Sequence, residues 1–119
     1  MASTNNNGIK CLTVTELNRL LDKTLEGVGQ VTFQGEISQI TRAASGHLYF
    51  TIKDEESQVA AVMWRGVTSS LGFEPEAGRV VVCHAVPNVY QKSGKLQMIV
   101  HKMLPAGEGD LQKKFLELK

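Results

Sequence analysis

Apolar and polar residues alternate with a period of two through most of the stretch from residue 30 to residue 104. In "SGHLYFTIKD", for example, Leu48, Phe50 and Ile52 fall on one side of an extended chain, while Tyr49 falls on the other. A sheet with one apolar side must bury that side, which favours a sandwich or a closed barrel. The outward positions also hold aromatic and basic groups, and that combination is typical of a surface that contacts a ligand or a partner.

One strong helix signal precedes the strands. Thr13 and Glu16 form a Thr-x-x-Glu capping box, in which each side chain can bond to the backbone N–H of the other residue. Gly27 follows the apolar pattern and favours an end to the helix there. We therefore predict an amphipathic helix over residues 14–26 that docks on the sheet through its apolar face. That face consists of Leu17, Leu20, Leu21 and Leu25.

Turn-forming segments divide the alternating stretch into five strands. The loop "TRAASG" separates the first two, the acidic turn "DEES" joins the second and third in a hairpin, and "QKSG" joins the last two. A longer connection with one helical turn separates the third strand from the fourth. Because Pro87 has no N–H, we expect it at a sheet edge or a bulge. The predicted strands span residues 30–40, 47–54, 58–65, 79–90 and 95–104.

This order of elements predicts a mainly β fold, namely a five-stranded Greek-key barrel of the OB type with an N-terminal amphipathic helix. Such barrels bind oligonucleotides or oligosaccharides on strands two and three, and the loops between strands one and two and between strands four and five close over the ligand. Here those loops are "TRAASG" and "QKSG". A five-stranded sandwich without a binding role is the structural alternative. We assign residues 1–11 to a disordered tail, 12–106 to the barrel domain and 107–119 to a C-terminal helical linker.

Composition excludes several classes of protein. The 119 residues suffice for one domain, and 42% of them are hydrophobic, which is too many for a disordered chain. No apolar run approaches the length of a membrane span and no signal peptide opens the chain, so we expect a cytoplasmic protein without membrane contact. The formal charge is only +1, so any basic surface has to come from local clustering.

The cysteines and histidines give no sign of a metal centre or a catalytic site. Cys11 and Cys83 do not have metal-ligand spacing, and we prefer two reduced thiols over a disulfide between them. His47, His84 and His101 have no ligand partners at metal-site spacing. The sequence also lacks a nucleophile motif, so we expect no catalytic residue, no metal and no cofactor in this domain.

The predicted hairpin over residues 47–65 supplies the candidate stacking groups. In the register that we predict, Lys53 pairs with Gln58. Tyr49 then falls opposite Val62, and Trp64 also lies on the outer face. Flat side chains in such positions stack on bases of any kind, at about 1–3 kcal/mol per base. A slip of one residue would bury Trp64, so a core position for Trp64 is the alternative.

Basic residues that could hold phosphates occur in the same regions. Arg42 belongs to the first loop and Lys92 to the last, the two places where this type of barrel grips its ligand. His47 falls opposite Trp64 in the predicted register and could stack or donate to a phosphate. The candidate nucleic-acid-binding residues are Arg42, His47, Tyr49, Lys53, Trp64, Arg65, Lys92 and Lys95.

Three segments resemble the N-terminal domain of the large subunit of bacterial exodeoxyribonuclease VII: "LTVTELNRLLD", "GEISQITRAASGHLYFTIKDEESQVAAVMWR" and "PAGEGDLQKKFLELK". The resemblance covers about residues 12–119. It implies an OB-type domain that binds single-stranded DNA and does not contain the nuclease centre. In that family a catalytic domain follows, and small subunits are further partners, so we expect the natural protein to continue beyond Lys119.

The resemblance is weaker in the second hairpin. Over "HAVPNVY" and "KSGKLQM", the positions of the family's arginines are here His84, Val86 and Ser93. Lys92 and Lys95 could replace the lost positive charge.

These observations leave two hypotheses. The preferred one is a non-catalytic module that binds single-stranded DNA and presents it to a nuclease domain for degradation. The alternative is a protein-interaction or assembly module of the same enzyme, in which the same face packs against the catalytic domain or another copy. Salt separates the two, because DNA binding weakens steeply with salt and docking through apolar surface does not.

Overall fold

The computed structural model describes residues 3–4 and 10–106. Two short strands, β1 (Ser3–Thr4) and β2 (Lys10–Cys11), precede helix α1 (Val14–Glu26). The strands that follow are β3 (Val31–Arg42), β4 (Leu48–Lys53), β5 (Gln58–Met63), β6 (Val80–Tyr90) and β7 (Lys95–Pro105). A single turn of helix, α2 (Arg65–Thr68), opens the connection between β5 and β6.

Strands β3 to β7 close into a barrel in the order β3-β4-β5-β7-β6. All neighbours run antiparallel except β5 and β7, which are parallel. This is the strand order of a five-stranded Greek-key barrel of the OB type. It confirms the predicted fold class, and the sandwich alternative is wrong.

The inward positions of the five strands fill the barrel with apolar side chains. Leu48, Phe50 and Ile52 of β4 are buried in this core, as their alternation predicts. Phe33 packs against the same cluster and is partly buried. The core therefore occupies the barrel interior, and the outward side of the strands stays available for contacts.

Strand β3 closes the barrel because it pairs with two other strands, β6 and β4. Its first half pairs with β6 and its second half with β4, and the two sets of pairs meet at Glu36. The adjacent Gly35 allows a close approach, since a Cβ there would lie 2.5 Å from Ile52 Cγ2 and 2.8 Å from the carbonyl oxygen of Lys53. A larger residue at position 35 would force β3 and β4 apart.

Helix α1 has the bounds that the capping box and Gly27 predict. The Thr13 N–H donates to Glu16 Oε1 at 2.9 Å, and the Glu16 N–H donates to Thr13 Oγ1 at 3.0 Å. Two N–H groups of the first turn, which have no partner within a helix, are satisfied in this way. The helix begins at Val14 and ends at Glu26, which confirms the prediction.

The face of α1 that contacts the barrel differs from the predicted one. Leu17, Leu20 and Leu21 are 43%, 51% and 46% exposed, so the prediction that they dock on the barrel is wrong. Of the predicted face, Leu25 alone is partly buried. The polar residues Asn18 and Asp22 bond to β6 and the turn that follows it instead. The orientation of the helix therefore follows these hydrogen bonds and not the apolar stripe.

Helix α1 docks where β6 has no strand neighbour on one side. The β3–β6 pairing ends at Val31 and Ala85, so the rest of β6 pairs with β7 alone. There Asp22 Oδ1 accepts a hydrogen bond from the Val89 N–H at 2.8 Å, as the carbonyl of a neighbouring strand would. Pro87 lies in the same stretch, where its missing N–H interrupts no pairing with β3, which confirms its predicted edge position.

The ends of the chain are described only in part. Within the predicted tail, Ser3 pairs with Cys11 and Thr4 with Lys10 in a short antiparallel ladder. The predicted helical linker over residues 107–119 lies outside the described residues. Neither helix found between residues 10 and 106 is long and apolar enough to cross a membrane.

Removal of the Asp22 carboxylate should destabilise the protein more than removal of a stripe leucine. Asp22→Ala leaves the Val89 N–H without its acceptor, at a cost of about 1–3 kcal/mol. For a domain of this size, each kcal/mol lowers the melting temperature by roughly 4–8 °C. Leu21→Ala is the matched control on the same helix and should lower it by less, because Leu21 is half-exposed. Circular dichroism melts compare the two variants, and a larger loss for Leu21→Ala contradicts the docking described here.

The two cysteines should differ sharply in reactivity. No disulfide joins them: Cys11 is exposed, while Cys83 is fully buried and its burial raises the pKa of the thiol to about 12. At about pH 8 Cys83 is therefore protonated as well as inaccessible, and only thiolates react. A thiol reagent should titrate one group in the native protein and two in denaturant, and Cys11→Ser should remove the native reaction. Rapid modification of both thiols in the folded protein would exclude this core position for Cys83.

Candidate functional site

The outward side of β4, β5 and β7 forms a continuous surface. Lys53 pairs with Gln58 and Tyr49 with Val62, which confirms the predicted hairpin register. The parallel pairing of β5 with β7 then extends each row of outward side chains across a third strand. The row through the middle of this surface consists of Thr51, Ala60 and Gln97.

Two hollows lie side by side on this surface, and we call them together the groove. The aromatic hollow, with a volume of about 370 Å³, is lined by Tyr49, Trp64 and Tyr90 together with Lys95 and Leu96. The second hollow, which we call the polar hollow because of its hydroxyl and amide groups, has a volume of about 230 Å³. It is lined by Gln39, Thr41 and Thr51 together with the apolar residues Phe50 and Ala61. Tyr49, Ala60 and Gln97 line both hollows.

Three aromatic side chains of the aromatic hollow remain accessible to a ligand. Tyr49 is 44% exposed, Trp64 is 39% exposed and Tyr90 is 50% exposed. Each ring thus presents part of its surface to solvent while the rest packs on the protein. The outward position predicted for Trp64 is confirmed, and the alternative of a core position is wrong.

His47 holds Trp64 in place. The two rings meet edge to face, with centroids 5.1 Å apart and planes at 71°. His47 Nδ1 accepts a hydrogen bond from the Arg65 N–H at 2.9 Å, so the neutral ring carries its proton on Nε2. These two contacts fix the imidazole at the start of α2. Its predicted contact with a phosphate or a base stays a prediction.

The turn between β6 and β7 borders the groove and is held by α1. Asn18 Nδ2 donates to the Gln91 carbonyl at 3.2 Å, and the Gly94 N–H donates to the Tyr90 carbonyl at 2.7 Å. Lys95 reaches the aromatic hollow, and the exposed Lys92 belongs to the same turn. The positive charge of this turn therefore lies at the end of the groove that Tyr90 lines.

The other predicted basic residues are spread around the barrel. Arg42, at the end of β3, forms an exposed ion pair with Glu74 and lines neither hollow. Lys53 lies at the far end of β4, beside the acidic turn. The Arg65 side chain covers Gly46 in the first loop, where a Cβ would lie 2.7 Å from its Cδ. The structure thus brings Lys95 to the groove, with Lys92 in the adjoining turn, and it does not bring Arg42 or Lys53 there.

The acidic turn between β4 and β5 is closed by one of its own carboxylates. Asp54 Oδ1 accepts hydrogen bonds from the backbone N–H groups of Glu56 and Ser57, both at 2.9 Å. These bonds lower the pKa of Asp54, with the contribution from Glu56 first. Over the described ranges, no three His, Cys, Asp or Glu side chains come together as a possible metal site.

Comparison with known sequences decides the family. Residues 12–104 match the family described as OB-fold nucleic acid binding domain.

The chain belongs to this family of OB domains.

Its relatives also confirm the resemblance found in the sequence. The OB domain is 44% identical over 109 residues to the exodeoxyribonuclease 7 large subunit of Rhodopirellula baltica, and 45% identical over 109 residues to that of Salinibacter ruber. Each match covers 91% of this chain. The chain spans about a quarter of the length of these relatives, 25% and 27% respectively.

Solved structures share the fold of this OB domain at low sequence identity. A structure of a replication protein A heterotrimer bound to ssDNA matches with a TM-score of 0.57 at 19% identity, over 76% of this chain and 66% of that one. Asparaginyl-tRNA synthetase from Pyrococcus horikoshii matches with a TM-score of 0.51 at 17% identity, over 65% of this chain and 19% of the synthetase. These likenesses concern the fold alone.

Sequence reasoning missed several residues of the groove in this OB domain. Tyr90 is the last residue of β6, directly before the turn "QKSG" that the strand pattern already marked as a gripping loop, so its position was a usable signal. Ala60 and Gln97 gave no comparable signal. They become neighbours only through the β5–β7 pairing, which joins strands that are far apart in the sequence.

Loss of the His47 ring should change the surroundings of Trp64. Because Trp64 is the single tryptophan of the chain, its fluorescence reports on this position alone. His47→Ala removes the edge contact and the acceptor for the Arg65 N–H, so the emission maximum should move to longer wavelength as the indole gains water contact. His101→Ala, on the exposed surface of β7, is the control and should leave the emission unchanged. Identical spectra for wild type and His47→Ala would show that His47 does not hold Trp64.

Proposed function

We propose that this OB domain binds single-stranded DNA in the groove. The observation that carries the proposal is the aromatic hollow, where Tyr49, Trp64 and Tyr90 surround an open space with Lys95 at its edge. The description of the family as nucleic acid binding supports the same ligand class. The relatives named as exodeoxyribonuclease large subunits favour DNA as the nucleic acid.

The chemistry of the groove fits a single strand better than a duplex. In a duplex the faces of the bases are stacked on one another, whereas a single strand can offer each face to a protein ring. Stacking on Tyr49, Trp64 or Tyr90 supplies about 1–3 kcal/mol per base and does not depend on base identity. Lys92 and Lys95 supply the second attraction, since each phosphate that they neutralise releases bound counterions.

In the parent enzyme the OB domain serves as a non-catalytic module. It holds single strands and presents them to the catalytic domain for degradation to oligonucleotides, with the small subunits as further partners. The module acts in the cytoplasm without a cofactor of its own. The assembly-module hypothesis predicts instead that the groove has little affinity for DNA.

Titration with a fluorescent oligo-dT at about 50 mM and about 200 mM salt tests the proposal. Affinity should fall steeply between the two conditions, and Trp64 emission should be quenched as DNA is added. Tyr49→Ala should weaken binding by about 1–3 kcal/mol at both salt concentrations, because stacking is not ionic. The oligonucleotide should be recovered intact with or without magnesium. Absence of binding at low salt, or unchanged binding by Tyr49→Ala, contradicts the proposal.

One lysine variant and one arginine variant distinguish phosphate binding at the groove from the general effect of surface charge. Lys95→Ala should reduce the slope of log affinity against log salt by about 0.7, the value for one phosphate contact on a single strand. Arg42→Ala is the matched control, because Arg42 is paired with Glu74 and lies away from the groove. An equal loss of slope in both variants would place the phosphates elsewhere on the barrel.

A further inference from the structure

The two hollows of the groove have a common floor and a common wall. Ala60, Tyr49 and Gln97 line both, so the hollows adjoin along these three residues. Volumes of about 370 Å³ and about 230 Å³ each accommodate a flat heterocyclic base. The Tyr49 side chain, 44% exposed, borders both hollows.

The compartments differ in the chemistry that they offer to a base. The aromatic hollow offers the rings of Trp64 and Tyr90, and aromatic rings stack on bases of any kind. The polar hollow offers hydroxyl and amide groups that can bond to the edge of a base. Within the part of the chain that the structure describes, no hydrogen bond engages the side chains of Gln39, Thr41, Thr51 or Gln97. These polar groups are therefore available to a ligand.

The small side chain at position 60 keeps both compartments open. Ala60 is exposed and lies between Thr51 and Gln97 in the middle row of the outward surface. Alanine is depleted in strands relative to β-branched residues, so strand formation gives no reason for it at an outward position. Its neighbour Ala61 is different, because it is buried in the barrel core. A larger side chain at position 60 would project into both hollows at once.

We propose that the groove seats two successive bases of a single strand, one on each side of the Tyr49 ring, with Ala60 as their shared floor. The base in the aromatic hollow is held by stacking. The base in the polar hollow is bonded at its edge by Gln39 and Gln97. This inference rests on the proposed function and specifies how the groove holds its ligand.

Enlargement of Ala60 tests the inference. Ala60→Val should weaken binding of a short oligo-dT roughly tenfold or more, since the stacking of at least one base is lost. Gln58→Val is the matched control: it places the same side chain on the same outward face of β5, two residues away and outside both hollows. Neither valine should lower the melting temperature, because valine favours strands. Equal binding by wild type, Ala60→Val and Gln58→Val overturns the inference.

A second measurement uses the wild-type protein with altered DNA. In a dT oligomer of about four nucleotides, two adjacent abasic residues at the centre leave no two successive bases and keep every phosphate. They should weaken binding roughly tenfold or more relative to two abasic residues at the ends, and the difference should shrink with Ala60→Val. If the position of the abasic residues makes no difference, the inference is wrong although the proposed function stands. If unmodified oligo-dT does not bind at all, the proposed function itself fails.

Discussion

Strand β3 is shared between two neighbours, and the rest of the molecule is arranged around that sharing. Its first half pairs with β6 and its second half with β4, so the sheet closes into a barrel at Glu36. The close approach at Gly35 allows this closure, because a Cβ there would collide with Ile52 and with the Lys53 carbonyl. Since β3 leaves β6 at Ala85, the last residues of β6 have a free edge that α1 must cover. The same helix then holds the β6–β7 turn, which forms one border of the groove.

The groove follows from strand register and from one supporting histidine. Pairing of β4 with β5 places Tyr49 on the outward side, and the parallel pairing of β5 with β7 brings Gln97 beside Ala60. His47 accepts a hydrogen bond from the Arg65 N–H and meets the Trp64 ring edge to face, and these contacts keep the indole beside the groove. The resulting groove has the small side chain of Ala60 at its floor and aromatic or polar side chains around it. Its positive charge comes from the β6–β7 turn, which α1 holds.

Local patterns in the sequence were sufficient for features whose partners are close in the chain. The capping box predicted the start of α1 and Gly27 its end, and alternation around "DEES" predicted the register of the β4–β5 hairpin and the outward position of Tyr49. Long-range features were not predictable in this way. The leucine stripe suggested the wrong docking face for α1, because hydrogen bonds from Asn18 and Asp22 to a free strand edge decide its orientation. Arg42 was grouped with the groove from its place in a loop, and its ion pair with Glu74 arises only in the folded barrel.

The central claim is that single strands lie across the outward side of β4, β5 and β7. Backbone amide resonances of the isotope-labelled domain, followed during titration with oligo-dT, test this claim most directly because they report on every strand at once. We expect the largest shifts at Tyr49, Ala60 and Gln97, with the exposed leucines of α1 unaffected. Shifts concentrated on Leu17, Leu20 and Leu21, or around the Arg42–Glu74 ion pair, would contradict the account.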